Sequence, residues 1–455
     1  MQNTSTNYVS VESGGHGVAT HVGLHALGAL ADQLGLATSL SSRIAPRGER
    51  APLHDRGKVL VQMALVLAGG GESCADIEHL RVQEEMFGSV PSDSTVFRTL
   101  HEFDAQQRRE LLSALAEVRA KVWKKLDQRR KDPVILDFDA SLVNVHSELK
   151  EQAAANYKGG FGFHPIFCFS DLTGETLSFK LRAGNATANN AGDHVELLDA
   201  ALGQLPERIT RGHHVGERPT RTTRRVIARA DSAGCTKEFL NACRERQVSF
   251  FVSARSNAQI TGALYQTFDV PNLWQPSLTQ GGELREGAGV CELTNYVNLS
   301  SMPEGTRLII RREPLHPGAQ RSLFPSHEFR YWGFYTDQAG DPVDLDVTMR
   351  AHAHVESHIQ RLKESGLNRF PFTSFEANSN WLMSVTLAGD LVRWFQLLCL
   401  KGSWKDARPK ALRWEIFHAP GRLVYRSRRR IVRLLNGWPT TDVLLGAYQR
   451  IARLT

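Results

Sequence analysis

VILDFDASLVNVHS, residues 134–147, is the stretch on which the fold turns. Val134, Ile135, Leu136 and Phe138 have the β-branched and aromatic character of a buried strand. A carboxylate in that company needs a partner or a metal. Residues two apart on a strand share a face, so Asp137 and Asp139 project together from the end of a sheet. Taken alone, a D-x-D pair at a strand end equally suits the capping of the next turn.

The chain around it is long for one domain: 455 residues, 41% of them hydrophobic, predict two or three packed regions. No apolar run reaches the length needed to span a bilayer. The first residues have neither a basic start nor an apolar core, so no secretion signal and no membrane partner are expected. Cys74, Cys168, Cys235, Cys243, Cys291 and Cys399 form no C-x-x-C pair, which points to reduced thiols rather than zinc or a disulfide framework. The net charge of +7 is unevenly spread: from residue 401 onward thirteen Lys and Arg face three Asp and Glu, so the remainder is net acidic. The run RSRRRIVR, carrying Arg428, Arg429 and Arg430 beside Tyr425, suits phosphate contact, although Arg-rich faces are often merely solvated.

Apolar spacing near 3.6 over 18–42 and 57–69, then Ser/Asp capping ahead of new apolar runs, predicts a helical region over 1–130. Ser94, Thr95 and Arg98 stand near the start of a candidate recognition helix of a helix-turn-helix. Beyond residue 131 the period becomes strand-like. VILDFD, HPIFCFSD and TLSFKLRAG read as three strands, the last two joined at Thr173-Gly174. DHVELLDAALGQL follows as a helix capped by Asp193, then strand RRVIARADS, helix KEFLNACRER and strand VSFFVSAR. This is the order of an α/β (α+β) core with a mixed sheet over 131–253. Residues 254–337 read as a β-rich insertion of four strand-like segments, ITGALYQTFDV among them. The core resumes over 338–400, and 401–455 is a basic C-terminal region.

Three acids then stand out: Asp139, Asp231 at the end of VIARADS, and Glu356 in AHAHVESHIQRLK. Spacing of four and seven puts His352, Glu356 and Lys363 on one helical stripe, with Val355, Ile359 and Leu362 toward the core. Two Asp and one Glu are oxygen ligands suited to Mg²⁺ or Mn²⁺, and a pair of such ions serves phosphodiester cleavage. Singly, each acid also suits a cap or a solvated helix position.

With LDFDAS, GNATANNAGDHVELL, RADSAGCTKEFL and VESHIQRLK in hand, the chain resembles a bacterial insertion-sequence DDE transposase (transposase DDE domain, group 1). That resemblance implies an RNase H-like mixed sheet flanked by helices, a β-strand insertion before the last acid, and an N-terminal DNA-binding region. It implies Asp139, Asp231 and Glu356 as catalytic ligands of two Mg²⁺ or Mn²⁺ ions. Asp139 is favoured over Asp137 because Ser141 completes D-x-[ST]. Lys363 matches a lysine that contacts DNA near the scissile end. The Tyr and Arg expected ahead of the last acid fall on Met349 and His352, with Arg350 two positions from the latter. Trp274 or Trp332 in the insertion corresponds to aromatics that stack on a flipped base. The implied partners are terminal inverted repeats, target DNA and a second copy in a synaptic homodimer, with a cytoplasmic, nucleoid-associated location. A transposase-derived DNA-binding protein without catalysis, and a metal-dependent nuclease, are the alternatives.

Overall fold

The computed structural model describes residues 13–14, 16–44, 52–126, 132–315 and 328–454. A two-residue strand, β1 (Val18–Ala19), leads into α1 (Val22–Leu34), α2 (Leu36–Ser41), α3 (Arg56–Ala68), the single turns α4 (Glu78–Arg81) and α5 (Glu84–Phe87), α6 (Asp93–Glu102) and α7 (Ala105–Leu126). Gly35, in the left-handed region at φ 71°, ends α1 and starts α2. The Asp55 and Ser92 side chains cap α3 and α6 by accepting from Lys58 N and Thr95 N. The boundary expected near residue 130 lies outside the described residues.

The central stretch follows as β2 (Val134–Ala140), β3 (Val143–Asn144), β4 (Ala154–Ala155), β5 (Phe161–Phe163), β6 (Ile166–Ser170), β7 (Thr176–Lys180), α8 (Ala191–Gln204), α9 (Glu207–Thr210), β8 (Val226–Ala230), α10 (Lys237–Glu245) and β9 (Val248–Ala254). β6 pairs antiparallel with β2 and β7, while β8 runs parallel to β2 and β9. The order β7-β6-β2-β8-β9 is the mixed sheet expected of an RNase H-like core. Gly174, at φ 70°, makes the tight β6–β7 turn, where a side chain would meet His358 and Arg393 at 3.0 Å. Asp193 is not the cap of α8: Asn190 is, and Asp193 pairs instead with Lys180 and Arg182.

The insertion contributes α11 (Ala258–Thr267), β10 (Gln275–Leu278), β11 (Leu284–Glu292), β12 (Arg307–Pro314) and β13 (Phe329–Thr336). ITGALYQTFDV, read as a strand, is mostly α11: Asn257 caps it, and Ile260, Ala263 and Thr267 bury at helical spacing. Its β-branched and aromatic content misled the reading because periodicity and cap outweigh propensity. β13 pairs antiparallel with β9, so the insertion extends the core sheet to nine strands rather than forming a second one.

The remainder holds α12 (Pro342–Arg350), α13 (His354–Leu362), α14 (Phe375–Cys399), α15 (Pro409–Leu412), β14 (Gly421–Arg426), β15 (Arg429–Leu434) and α16 (Thr441–Ile451). Contrary to the sequence expectation, α14 is long and apolar enough to cross a membrane. In the fold, 83% of its most apolar window is buried. It is the central helix of a core shared by α1, α3, α7, α13 and α16. Gly23 permits the closest approach there: a Cβ would sit 2.1 Å from Ile416 O. The RSRRR run is a β-hairpin tip, and β14 also pairs with β1. Val134, Leu136 and Phe138 pack toward α8 and α10 on one sheet face, so strand alternation sends Ile135, Asp137 and Asp139 to the opposite face.

Candidate active site

On that opposite face the two strand-end aspartates have contrasting surroundings. Asp137 is fully buried, accepting from Arg229 Nε at 2.8 Å and Nη2 at 2.7 Å, with Arg229 equally buried on the neighbouring strand. His352 Nδ1 donates to Asp137 Oδ1 at 2.8 Å. Burial by itself raises the Asp137 pKa, but the His352 and Arg229 hydrogen bonds outweigh it and hold the carboxyl below its ordinary range. Arg229 also reaches Asp171 at 3.1 Å and donates to Thr348 O at 2.6 Å, at the C-terminal end of α12. His354 Nδ1 donates to Asp171 Oδ1 at 3.1 Å. Strands β2 and β8 are thereby bolted to the 3₁₀ turn Ala351–Ala353 and to the start of α13. Glu356 follows on that helix.

Asp139 is in the contrary situation. Phe138 pairs with Ala230 in the parallel ladder, so Asp139 and Asp231 are the next residues of adjacent strands. Burial first, then the charges of Asp231 and Glu356, push the Asp139 carboxyl up to about 6 against the opposing effects of Ala140 N and His352. Among the described residues its hydrogen bond comes from Ala140 N at 2.7 Å, and that of Asp231 from Ala233 N at 2.8 Å. The helix after Asp231 is capped by Thr236, so Asp231 is not its cap. Asp139, Ser141, Glu356, Ser357, Gln360, Lys363 and Arg408 line one cleft of about 670 Å³.

Among the described residues no three His, Cys, Asp or Glu side chains close into a preformed metal cluster. The donor chemistry nonetheless fits a hard divalent cation: the three acids are carboxylates, and burial first, then the charges of Asp231 and Glu356, raise Asp139. Asp139, Asp231 and Glu356 are the residues that could hold it.

The other expected residues are placed as follows. Lys363 shares the acid cleft. Arg350 pairs with Asp346 at 3.0 Å and donates to Leu278 O, so His352 rather than Arg350 faces the Asp137–Arg229 bolt; Met349 is buried. Trp332 is 42% exposed with Arg311 over its ring at 5.0 Å, and lines a neighbouring cleft of about 640 Å³ with Arg285, Arg350 and His352. Trp274 is a packing residue: it donates to Thr267 O at 3.1 Å and lies under Arg312. Ser94 and Arg98 are exposed on α6, Arg98 donating to Ser94 O at 3.2 Å. Arg428, Arg429 and Arg430 are exposed at the β14–β15 tip, and Arg430 donates to Glu85 O at 3.1 Å. Sequence reasoning missed Arg408 as a cleft residue and Arg229 as the partner of Asp137. Arg229 carried a signal, a buried-strand arginine in VIARADS, whereas nothing local marks Arg408.

No curated protein matches the sequence. Among solved structures the chain is similar to a cryo-EM structure of the piggyBac transposase synaptic complex with hairpin DNA, with 10% identity and a TM-score of 0.42, covering 87% of this chain and 79% of that one. The transposase DDE domain group 1 family matches residues 1–455. With the whole sequence covered by that match, the chain belongs to the transposase DDE domain group 1 family.

Proposed function

We propose that this chain is the transposase of an insertion sequence, which binds terminal inverted repeats, cuts the DNA at their ends and joins the freed ends to target DNA. The observation that carries the reading is the contrast at one sheet end. Asp137 is neutralised by Arg229, while Asp139, Asp231 and Glu356 share a cleft rim or adjacent strand ends and, among the described residues, none of the three is held in a salt bridge. Two Mg²⁺ or Mn²⁺ ions bound there would activate water or a 3′-hydroxyl and offset charge on the leaving oxygen.

The chain's own residues supply position. Asp139 and Asp231 are fixed by adjacent strands, and Glu356 is set by the His352 and Arg229 contacts. Lys363, seven residues beyond Glu356, and Arg408 bring positive charge to the same cleft for a DNA phosphate. Trp332 offers a half-exposed ring for a displaced base, and Arg350 lines the same cleft. Ser94 and Arg98 are assigned to base edges, and Arg428, Arg429 and Arg430 to phosphates. A homodimer holding two ends, and a cytoplasmic, nucleoid-associated location, complete the proposal.

The test is incubation of the purified protein and Mg²⁺ with linear duplexes carrying the DNA that flanks each side of the gene. Cleavage followed by joined products is expected. Binding without cleavage identifies an inactive DNA-binding derivative, and cleavage without joining identifies a nuclease.

A further inference from the structure

Residues 141–163, between the Asp139 strand and its antiparallel neighbour, form a small sheet of order β3-β5-β4 that the sequence reading left without a role. Its far end is the tight turn Asn156–Gly160. Asn156 Oδ1 accepts from Lys158 N at 3.0 Å and Gly160 N at 3.1 Å, while its amide donates to Asn144 Oδ1 at 3.2 Å. Gly159 takes φ 79°. This built turn holds Tyr157 out: the ring is 74% exposed, with Lys158 Nζ 5.7 Å from its centre. A large aromatic so presented contributes little to the core.

Its position gives the turn a use. Tyr157 lies 6.2 Å, ring to ring, from His164. Ser141 N donates to Pro165 O at 3.0 Å, so the His164-Pro165 segment adjoins the strand end just beyond Asp139. Trp332 belongs to β13, on the other side of the β2–β8 pair in the sheet order. The acids therefore have an exposed aromatic with a neighbouring cation on each flank.

We propose that Tyr157 stacks on a nucleobase next to the scissile phosphate, on the flank away from Trp332, and that Lys158 contacts the adjoining backbone phosphate. This rests on the transposase reading. An aromatic face accepts any base, and a lysine beside it reads only charge, so the site positions the strand without selecting its sequence.

The experiment follows single-turnover cleavage in Mg²⁺ of a linear duplex carrying the DNA that flanks the gene. Wild type, Tyr157→Leu and Tyr157→Phe are compared on that duplex and on versions with one abasic site moved through the positions around the cut. Tyr157→Leu should cut about tenfold more slowly while Tyr157→Phe keeps the wild-type rate. At one abasic position wild type should fall to the leucine variant's rate, with no further loss in the variant. A 2-aminopurine at that position should be quenched by wild type and Tyr157→Phe but not by Tyr157→Leu. Lys158→Gln should lower the salt slope of binding by about one. An unchanged melting temperature of the leucine variant separates these effects from folding. If wild type does not cut the duplex, the transposase reading falls and this site with it. If wild type cuts and Tyr157→Leu cuts every substrate equally well, the site alone falls.

Discussion

Asp137 and Asp139 stand two residues apart on one face of one strand, and the fold gives them opposite charges to live beside: Asp137 has the guanidinium of Arg229, Asp139 has the carboxylates of Asp231 and Glu356. Asp137→Ala should therefore act on stability. Leaving the buried Arg229 without its main partner should cost about 3 kcal/mol, measured by urea unfolding. Asp139→Asn should instead stabilise the metal-free protein at neutral pH. An Asp139→Asn protein less stable than wild type would contradict the strain of burying this carboxylate beside two others.

The pH dependence follows with a definite sign. A carboxyl raised from the ordinary range near 4 to about 6 holds its proton more tightly folded than unfolded. Its favourable contribution is complete below the unfolded value and is lost as pH climbs through about 6. In metal-free protein, wild-type stability relative to Asp139→Asn should fall across that window in thermal scans. Mg²⁺ should restore it at pH 7.5, and Mg²⁺ affinity should weaken below about pH 6, because proton and cation compete for one carboxylate.

In the cleft, Glu356→Gln should abolish cleavage of end-bearing duplexes while gel-shift affinity persists. Lys363→Ala and Arg408→Ala should each weaken end binding about tenfold through one lost charged phosphate contact. Arg408 is the sharper check, since it enters the cleft from the far end of the chain.

Neutralising Arg428, Arg429 and Arg430 together should lower the salt slope of DNA binding by about 2 to 3, on specific and random DNA alike. The sequence suggests that deleting residues 1–130 would leave this basic surface working. The structure argues otherwise, because β1 pairs with β14 and helices from both ends share one core. The truncated chain should fail to fold by circular dichroism. Ser94→Ala with Arg98→Ala is the substitution pair that should reduce the preference for the terminal repeats while the salt slope stays near its wild-type value.

The sheet core was legible because alternation and turn signals agree there: VILDFD, HPIFCFSD and VIARADS each hold a strand, and Thr173-Gly174 the turn. The β14–β15 hairpin was not, since its turn residues Ser427 and Arg428 take positive φ without the Gly or Asn that announces such a turn. The candidate acids could be picked from motif and order. Their surroundings could not: the Arg229 bolt, the Arg408 approach and the Asn156 turn depend on pairings that only the folded chain brings together.

The packing of α1 against α16 has a consequence for synthesis. His25 on α1 hydrogen-bonds Tyr448 on α16, 423 residues later, and Val22 N donates to Ala419 O. During synthesis α1 therefore waits, with its apolar face open, until α16, 423 residues later by the His25–Tyr448 pair, has also emerged. A prematurely terminated product cannot complete this bundle and is left to chaperones and proteases. Fragments that stop short of α16 would not persist as folded competitors of the chain that has it.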